Sequence, residues 1–130
     1  MKNIKWFFLI LVFVLFSGSS NKTFSQSIYF CEDIDDDGDP INENSVFIMP
    51  SGGGYLYVLI QLPGIIECDG VYLEVYRNGN YETTITIDTE PDWDYFWKQV
   101  TFYKTGKYVI DVYDCYDDFI TSGSLKINME

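Results

Sequence analysis

Val71-Tyr72-Leu73-Glu74-Val75-Tyr76-Arg77, then Asn78-Gly79, then Tyr81-Glu82-Thr83-Thr84-Ile85-Thr86-Ile87-Asp88: the pattern of this stretch decides the fold class. In the first run Val71, Leu73 and Val75 alternate with Tyr72, Glu74 and Tyr76, the period of a half-buried strand. Asn-Gly is the dipeptide that best accepts positive φ at a tight hairpin turn, and the returning run sets Tyr81, Thr83, Ile85 and Ile87 on one face. An antiparallel hairpin is predicted over residues 71–88.

The same period of two extends in both directions, and from Ser27 onward no stretch of twelve residues carries helical spacing. Upstream, Ile28 to Cys31 and Val46 to Met49 read as short strands separated by an acidic loop, Glu32 to Asn44. Tyr55 to Leu62 places Leu56, Val58, Ile60 and Leu62 on one face and Tyr55, Tyr57, Leu59 and Gln61 on the other, so both faces are apolar enough for a central, covered strand. Downstream, Tyr95 to Tyr103 points Val100 and Phe102 inward, and Tyr108 to Asp114 and Ile120 to Asn128 follow. About seven strands with turn signals at short intervals predict an all-β domain, a two-sheet sandwich or a small barrel.

Outside this domain the N-terminus has a different composition. Lys2 and Lys5 precede the apolar run Trp6 to Phe16, and small and polar residues continue to Ser25, the pattern of a secretory signal peptide. An apolar helix of that length reaches only about 16 Å, roughly half a bilayer core, so no stable transmembrane segment is expected after cleavage. Thr23 and Ser25 suit the positions before the cut, with Ser17 and Ser19 as a second option. Residues 1–25 are thus expected to be a signal peptide and residues 26–130 one domain, exported to the periplasm, the cell surface or the medium. Three of the eight basic residues (Lys2, Lys5, Lys22) lie in the leader and all twenty acidic residues follow it, giving the mature chain a net charge of −15. Such a chain repels nucleic acid and anionic lipid. Its aromatic and β-branched content argues against disorder. It contains no histidine, the commonest general base and zinc ligand.

Val100-Thr101-Phe102, a turn, Gly106-Lys107-Tyr108-Val109-Ile110-Asp111-Val112-Tyr113-Asp114 and then Leu125-Lys126-Ile127 resemble the last strands of bacterial immunoglobulin-like and PKD-like domains, over residues 98–128. The resemblance implies a two-sheet antiparallel immunoglobulin-like β-sandwich that serves as a spacer, adhesion unit or interaction module without chemistry. In those families a glycine precedes a tyrosine that opens the penultimate strand. Here Tyr108 shares a core face with Ile110 and Val112, and its hydroxyl is placed to reach backbone at the corner. An immunoglobulin-like strand order also brings the turn before Val71 and the turn after Asp114 to one end of the domain, where Cys68 and Cys115 would face each other. A Cys31 to Cys115 bridge is the competing pairing. Glu67, Asp69, Asp114, Asp117 and Asp118 would crowd the same rim, favouring a bound cation or a basic partner.

Two constellations could carry function. Asp33-Ile34-Asp35-Asp36-Asp37-Gly38-Asp39 has the DxDxDG spacing with which Asp33, Asp35, Asp37 and Asp39 could converge on calcium, the glycine allowing a sharp turn. Its far end departs from an EF-hand: the twelfth position is Asn44 and Glu43 stands one place early. The readings are a calcium loop of another kind or a solvated acidic loop without a site. Secondly, Tyr72 and Tyr76, with Glu74 between them, share the outer face of one strand, and Tyr113, beside Asp111, that of an expected neighbour. Flat aromatic and carboxylate surfaces of this kind bind sugars, whereas cross-strand tyrosines also stabilise sheets or face partner subunits. Trp93, Tyr95, Phe96 and Trp97 are expected to be core and edge packing. With no histidine, and acidic pairs such as Asp92 and Asp94 too plentiful to single one out, an enzyme is not expected. The sequence reads as an exported, non-catalytic binding module that meets a protein partner at the envelope. The alternative is a calcium-dependent carbohydrate-binding module with a glycan as ligand.

Overall fold

Alternating apolar residues produce strands at every expected position. The computed structural model describes residues 27–130, which form ten strands and no helix; the expected signal peptide lies outside the described residues. The strands are β1 (Ser27–Cys31), β2 (Asp33–Ile34), β3 (Pro40–Ile41), β4 (Val46–Met49), β5 (Gly54–Gln61), β6 (Gly70–Arg77), β7 (Asn80–Asp88), β8 (Tyr95–Phe102), β9 (Gly106–Tyr113) and β10 (Phe119–Met129). They make a three-stranded sheet in the order β1-β5-β8, a five-stranded sheet in the order β4-β10-β9-β6-β7 and a β2-β3 ribbon. Ten strands in three sheets therefore replace the expected count of about seven in two. Part of the excess arises in the acidic segment, expected as a loop, which folds back on itself. The pairing is not wholly antiparallel either: β4 lies parallel to β10, with Phe47 opposite Ile127 and Met49 opposite Met129.

One core lies between the two larger sheets. Val58 and Ile60 from one sheet meet Val71, Leu73, Ile110, Val112 and Ile127 from the other, all fully buried. Each such side chain contributes about 1.5–3 kcal/mol of transfer free energy. Gly123 sits at an inward position of β10 because β1 packs there: a Cβ would stand 2.7 Å from Ile28 Cγ2. At the crossing from β8 to β9, Tyr108 buries its ring against Phe102, with centroids 4.9 Å apart, and its hydroxyl donates to the Lys104 carbonyl at 2.7 Å. Tyr108 thus makes the corner bond that the resemblance implied.

The hairpin turn also matches its dipeptide, with φ of 52° at Asn78 and 86° at Gly79. One face assignment is corrected. A bulge between Val75 and Tyr76 pairs Tyr81 with Tyr76, while Thr83 pairs with Val75. Tyr81 therefore leaves the face of Thr83, Ile85 and Ile87 for the outer one, where its hydroxyl lies 2.7 Å from Thr84 Oγ1. An extra residue in one strand inverts the alternation beyond it.

The acidic ribbon covers the far side of the small sheet. Cys31 and Leu59 point away from the main core yet are fully buried, and β2 and β3 lie against β5 and β1. Gln61 Nε2 donates to the Gly38 carbonyl at 2.8 Å, and a Cβ on Gly38 would stand 2.7 Å from the Tyr95 ring. β5 is central in its sheet, as its sequence implied, with its outer face covered at Leu59 and open at Tyr55, and burial pushes the Cys31 thiol's pKa up.

Candidate binding face

The outer face of the five-stranded sheet collects the predicted aromatic and acidic side chains. Because β6 and β9 are antiparallel neighbours, Tyr72 stands directly opposite Tyr113 and Glu74 opposite Asp111. Tyr76 is one step further along, opposite Val109, and its hydroxyl donates to Glu74 Oε1 at 3.1 Å. That hydrogen bond to the carboxylate raises the Tyr76 phenol above its ordinary pKa. Ser122 Oγ donates to Asp111 Oδ1 at 2.7 Å, so both central carboxylates are oriented by hydroxyl donors. Two further aromatics border the face: Tyr81 meets Tyr76 edge-on at 5.9 Å and Phe119 meets Tyr113 at 5.8 Å. Between the strands a shallow cleft of about 450 Å³ is lined by Tyr72, Glu74, Thr84, Tyr113 and Asp117. The four predicted residues are thus brought onto one surface. Tyr81 was missed because the bulge that turns it outward leaves no mark in the period-two pattern.

At the upper end of this sheet Cys68 and Cys115 form a disulfide, with Cα atoms 5.8 Å apart, and Cys31 is a buried free thiol. The rim around the bridge is organised by backbone. Thr89 N–H donates to the Asp69 carbonyl and its hydroxyl to the Cys68 carbonyl, while Glu67 N–H donates to Pro91.

Two acidic runs turn out to share one turn. Asp35 N–H donates to the Asp39 carbonyl, Gly38 N–H donates to the Asp35 carbonyl, and Asp35 Oδ1 accepts from Asp37 N–H and Asp39 N–H. Asp114 repeats every bond: its N–H donates to Asp118, Asp117 N–H returns to its carbonyl, and its Oδ1 accepts from Tyr116 N–H and Asp118 N–H. The fourth residue has positive φ in both, 84° at Gly38 and 65° at Asp117. In each run one aspartate oxygen therefore closes a tight turn. Asp33 Oδ1 accepts from Ile34 N–H, its own neighbour. Among the described residues no three acidic or cysteine side chains are grouped as a set of metal ligands.

Of the second aromatic cluster, expected as core and edge packing, Phe96 enters the core at 2% exposed, while Trp93, Tyr95 and Trp97 lie at the edge and remain 42%, 38% and 48% exposed. The cause is topological, since β8 is the last strand of its sheet. Trp97 stacks edge-on against Tyr57 at 5.5 Å on the outer face.

No protein-family model and no curated protein sequence matches this chain.

Proposed function

We propose that the chain is an exported, non-catalytic binding module with an immunoglobulin-like β-sandwich architecture, and that its partner docks on the tyrosine and carboxylate face of the five-stranded sheet. The observation that carries this reading is the direct register of Tyr72 with Tyr113 and of Glu74 with Asp111. It sets two aromatic rings and two oriented carboxylates side by side on an open surface. The architecture draws support from the antiparallel neighbours β6, β9 and β10 in one sheet, β5 and β8 in the other, and the Tyr108 corner bond between them. Export is compatible with the Cys68–Cys115 disulfide and, among the described residues, with the absence of any helix long and apolar enough to cross a membrane. A chain without histidine, whose predicted residues lie on an open face, suits recognition better than catalysis.

A second reading, a calcium-dependent carbohydrate-binding module, is favoured by the shallow cleft itself. A pyranose ring resting on Tyr72 and Tyr113 would find acceptors in Glu74 and Asp117 and a hydroxyl in Thr84. To hold calcium, Asp33, Asp35, Asp37 and Asp39 would have to draw together around the ion, since no three of them are grouped as ligands among the described residues. Wild type and Tyr72→Ala with Tyr113→Ala are to be compared on a glycan array and on separated envelope proteins. Saturable capture of one protein, lost in the double variant and indifferent to chelator, supports the first reading. Chelator-sensitive glycan capture supports the second. Capture unaffected by the double variant removes the face from both.

A further inference from the structure

We propose that the cleft at the start of β8 binds a lysine or arginine side chain presented by an extended segment of a partner protein, at a site separate from the tyrosine face. The cleft has a volume of about 550 Å³, with Asp88, Asp92 and Asp94 interleaved with Trp93, Tyr95 and Trp97. No basic side chain lines it. The one ion pair among the described residues is Arg77 with Glu82, so the three carboxylates have no cationic partner in the fold. Indole and phenol faces carry the negative lobe of their quadrupole, and carboxylates at the rim add full charge, so the pocket's chemistry selects an ammonium or guanidinium group.

The pocket is held in shape before any ligand arrives. Leu62 N–H donates to the Asp94 carbonyl at 2.8 Å, Ile66 N–H to Trp93 at 2.7 Å and Glu67 N–H to Pro91 at 2.8 Å, and Trp93 N–H closes the turn on Glu90 at 3.0 Å. Four backbone bonds thus fix the loop that presents the indole, which lowers the ordering cost of binding.

The neighbouring strand indicates how the cation arrives. As the edge of its sheet, β8 offers one row of unpaired backbone groups to an extended segment. A second copy of this chain is a poor occupant. Lys98 stands at an inward position of β8, opposite the fully buried Val58, yet is exposed. Near the middle of the strand, it would meet its own counterpart in an antiparallel β8 to β8 pair. Each mature copy also carries a net charge of −15, which repels another copy and attracts a basic partner.

Trp93 and Trp97 are the only tryptophans after the leader, so fluorescence of the mature protein excited selectively at tryptophan, where the tyrosines do not absorb, reports this cleft. The probe is a blocked peptide of alternating lysine and threonine, compared with the same peptide acetylated on every lysine. A saturable fluorescence change is expected with the first and none with the second. Asp92→Asn with Asp94→Asn should raise the dissociation constant about tenfold or more. Glu43→Gln with Glu130→Gln, which removes the same charge at the opposite edge, should raise it less than about threefold. Melting curves establish that each variant is folded. Equal weakening by the two pairs, equal binding of the acetylated peptide, a response to chitohexaose in place of the lysine peptide, or no response to either peptide would each overturn the proposal.

Discussion

Removing the Cys68–Cys115 bridge by Cys68→Ala with Cys115→Ala should lower stability by about 4 kcal/mol. The bridge spans 47 residues, and the chain-entropy relation for a closed loop of that size gives about 4 kcal/mol at 25 °C. The folded state changes little, because the ends of the loop are held by other means. β6 and β9 pair from Tyr72 opposite Tyr113 to Arg77 opposite Tyr108, and Thr89 ties down the Cys68 and Asp69 carbonyls. A smaller loss comes from Cys115 N–H, which gives up its bond to Cys68 Sγ at 3.3 Å. Most of the effect therefore acts through a more expanded unfolded chain. For a domain of this size the unfolding entropy is about 0.2 kcal/mol per kelvin, so the melting temperature should fall by almost 20 °C. Urea unfolding followed by tryptophan fluorescence should give both the lower stability and a steeper denaturant slope, since the unbridged chain exposes more surface. A loss below about 1.5 kcal/mol with an unchanged slope would refute the reasoning.

Three further outcomes follow from particular contacts. Tyr108→Phe should cost about 1 kcal/mol, because it removes the hydroxyl bond to Lys104. Burial pushes the Tyr108 phenol up, so the folded state keeps the proton longer than the unfolded one. This stability contribution is intact below pH ~10 and is lost as pH rises through the raised folded value; the phenylalanine variant should lack that decline in unfolding curves taken from pH 8 upward. Gly38→Ala should loosen the acidic ribbon, because its Cβ would meet the Tyr95 ring at a positive φ. Cys31 should then alkylate at least about tenfold faster than in the wild type under native conditions, and an unchanged rate would show that the ribbon is not what shields the thiol. Lastly, if the acidic turn holds calcium, a hundredfold excess over Kd adds about 2.7 kcal/mol of stability. That rise should vanish in Asp35→Asn with Asp37→Asn, where the amide oxygen at position 35 can still close the turn. Equal small rises with calcium and magnesium in both proteins would mark plain screening.

The strands, the Asn78-Gly79 turn and the inward residues of β8 and β9 were legible because each depends on local alternation or on one residue's backbone preference, and the corner role of Tyr108 was legible only through the resemblance of the last third of the chain. The Cys68–Cys115 pair and the facing of Tyr72 with Tyr113 required a strand order as well, which a resemblance in the last third of the chain supplied. What escaped was non-local or out of period. The parallel match of β4 with β10 joins segments about 80 residues apart and leaves no pattern in either. The bulge that turns Tyr81 outward breaks the alternation by which faces are assigned. The alternate aspartates of the acidic run left a calcium loop and a solvated acidic loop both open, and did not reveal the turn in which Asp35 accepts two backbone N–H groups with one oxygen, a turn that Asp114 repeats where no such spacing exists. The exposure of Trp93 and Trp97 follows from β8 being an edge, which composition does not reveal.

Site-specific photo-crosslinking in the cell that produces the protein tests the central claim most directly. A photoreactive residue is placed at Thr86 or Ser124 on the outer face of the five-stranded sheet, or at Gln99 or Thr101 on that of the three-stranded sheet, all four being exposed. A partner docked on the tyrosine and carboxylate face should crosslink from Thr86 and Ser124, and that product should disappear when Tyr72→Ala and Tyr113→Ala are added, whereas any product from Gln99 or Thr101, on the edge strand β8, should survive them. No crosslink from Thr86 or Ser124, or a product from them that survives loss of the two tyrosines, would contradict the account.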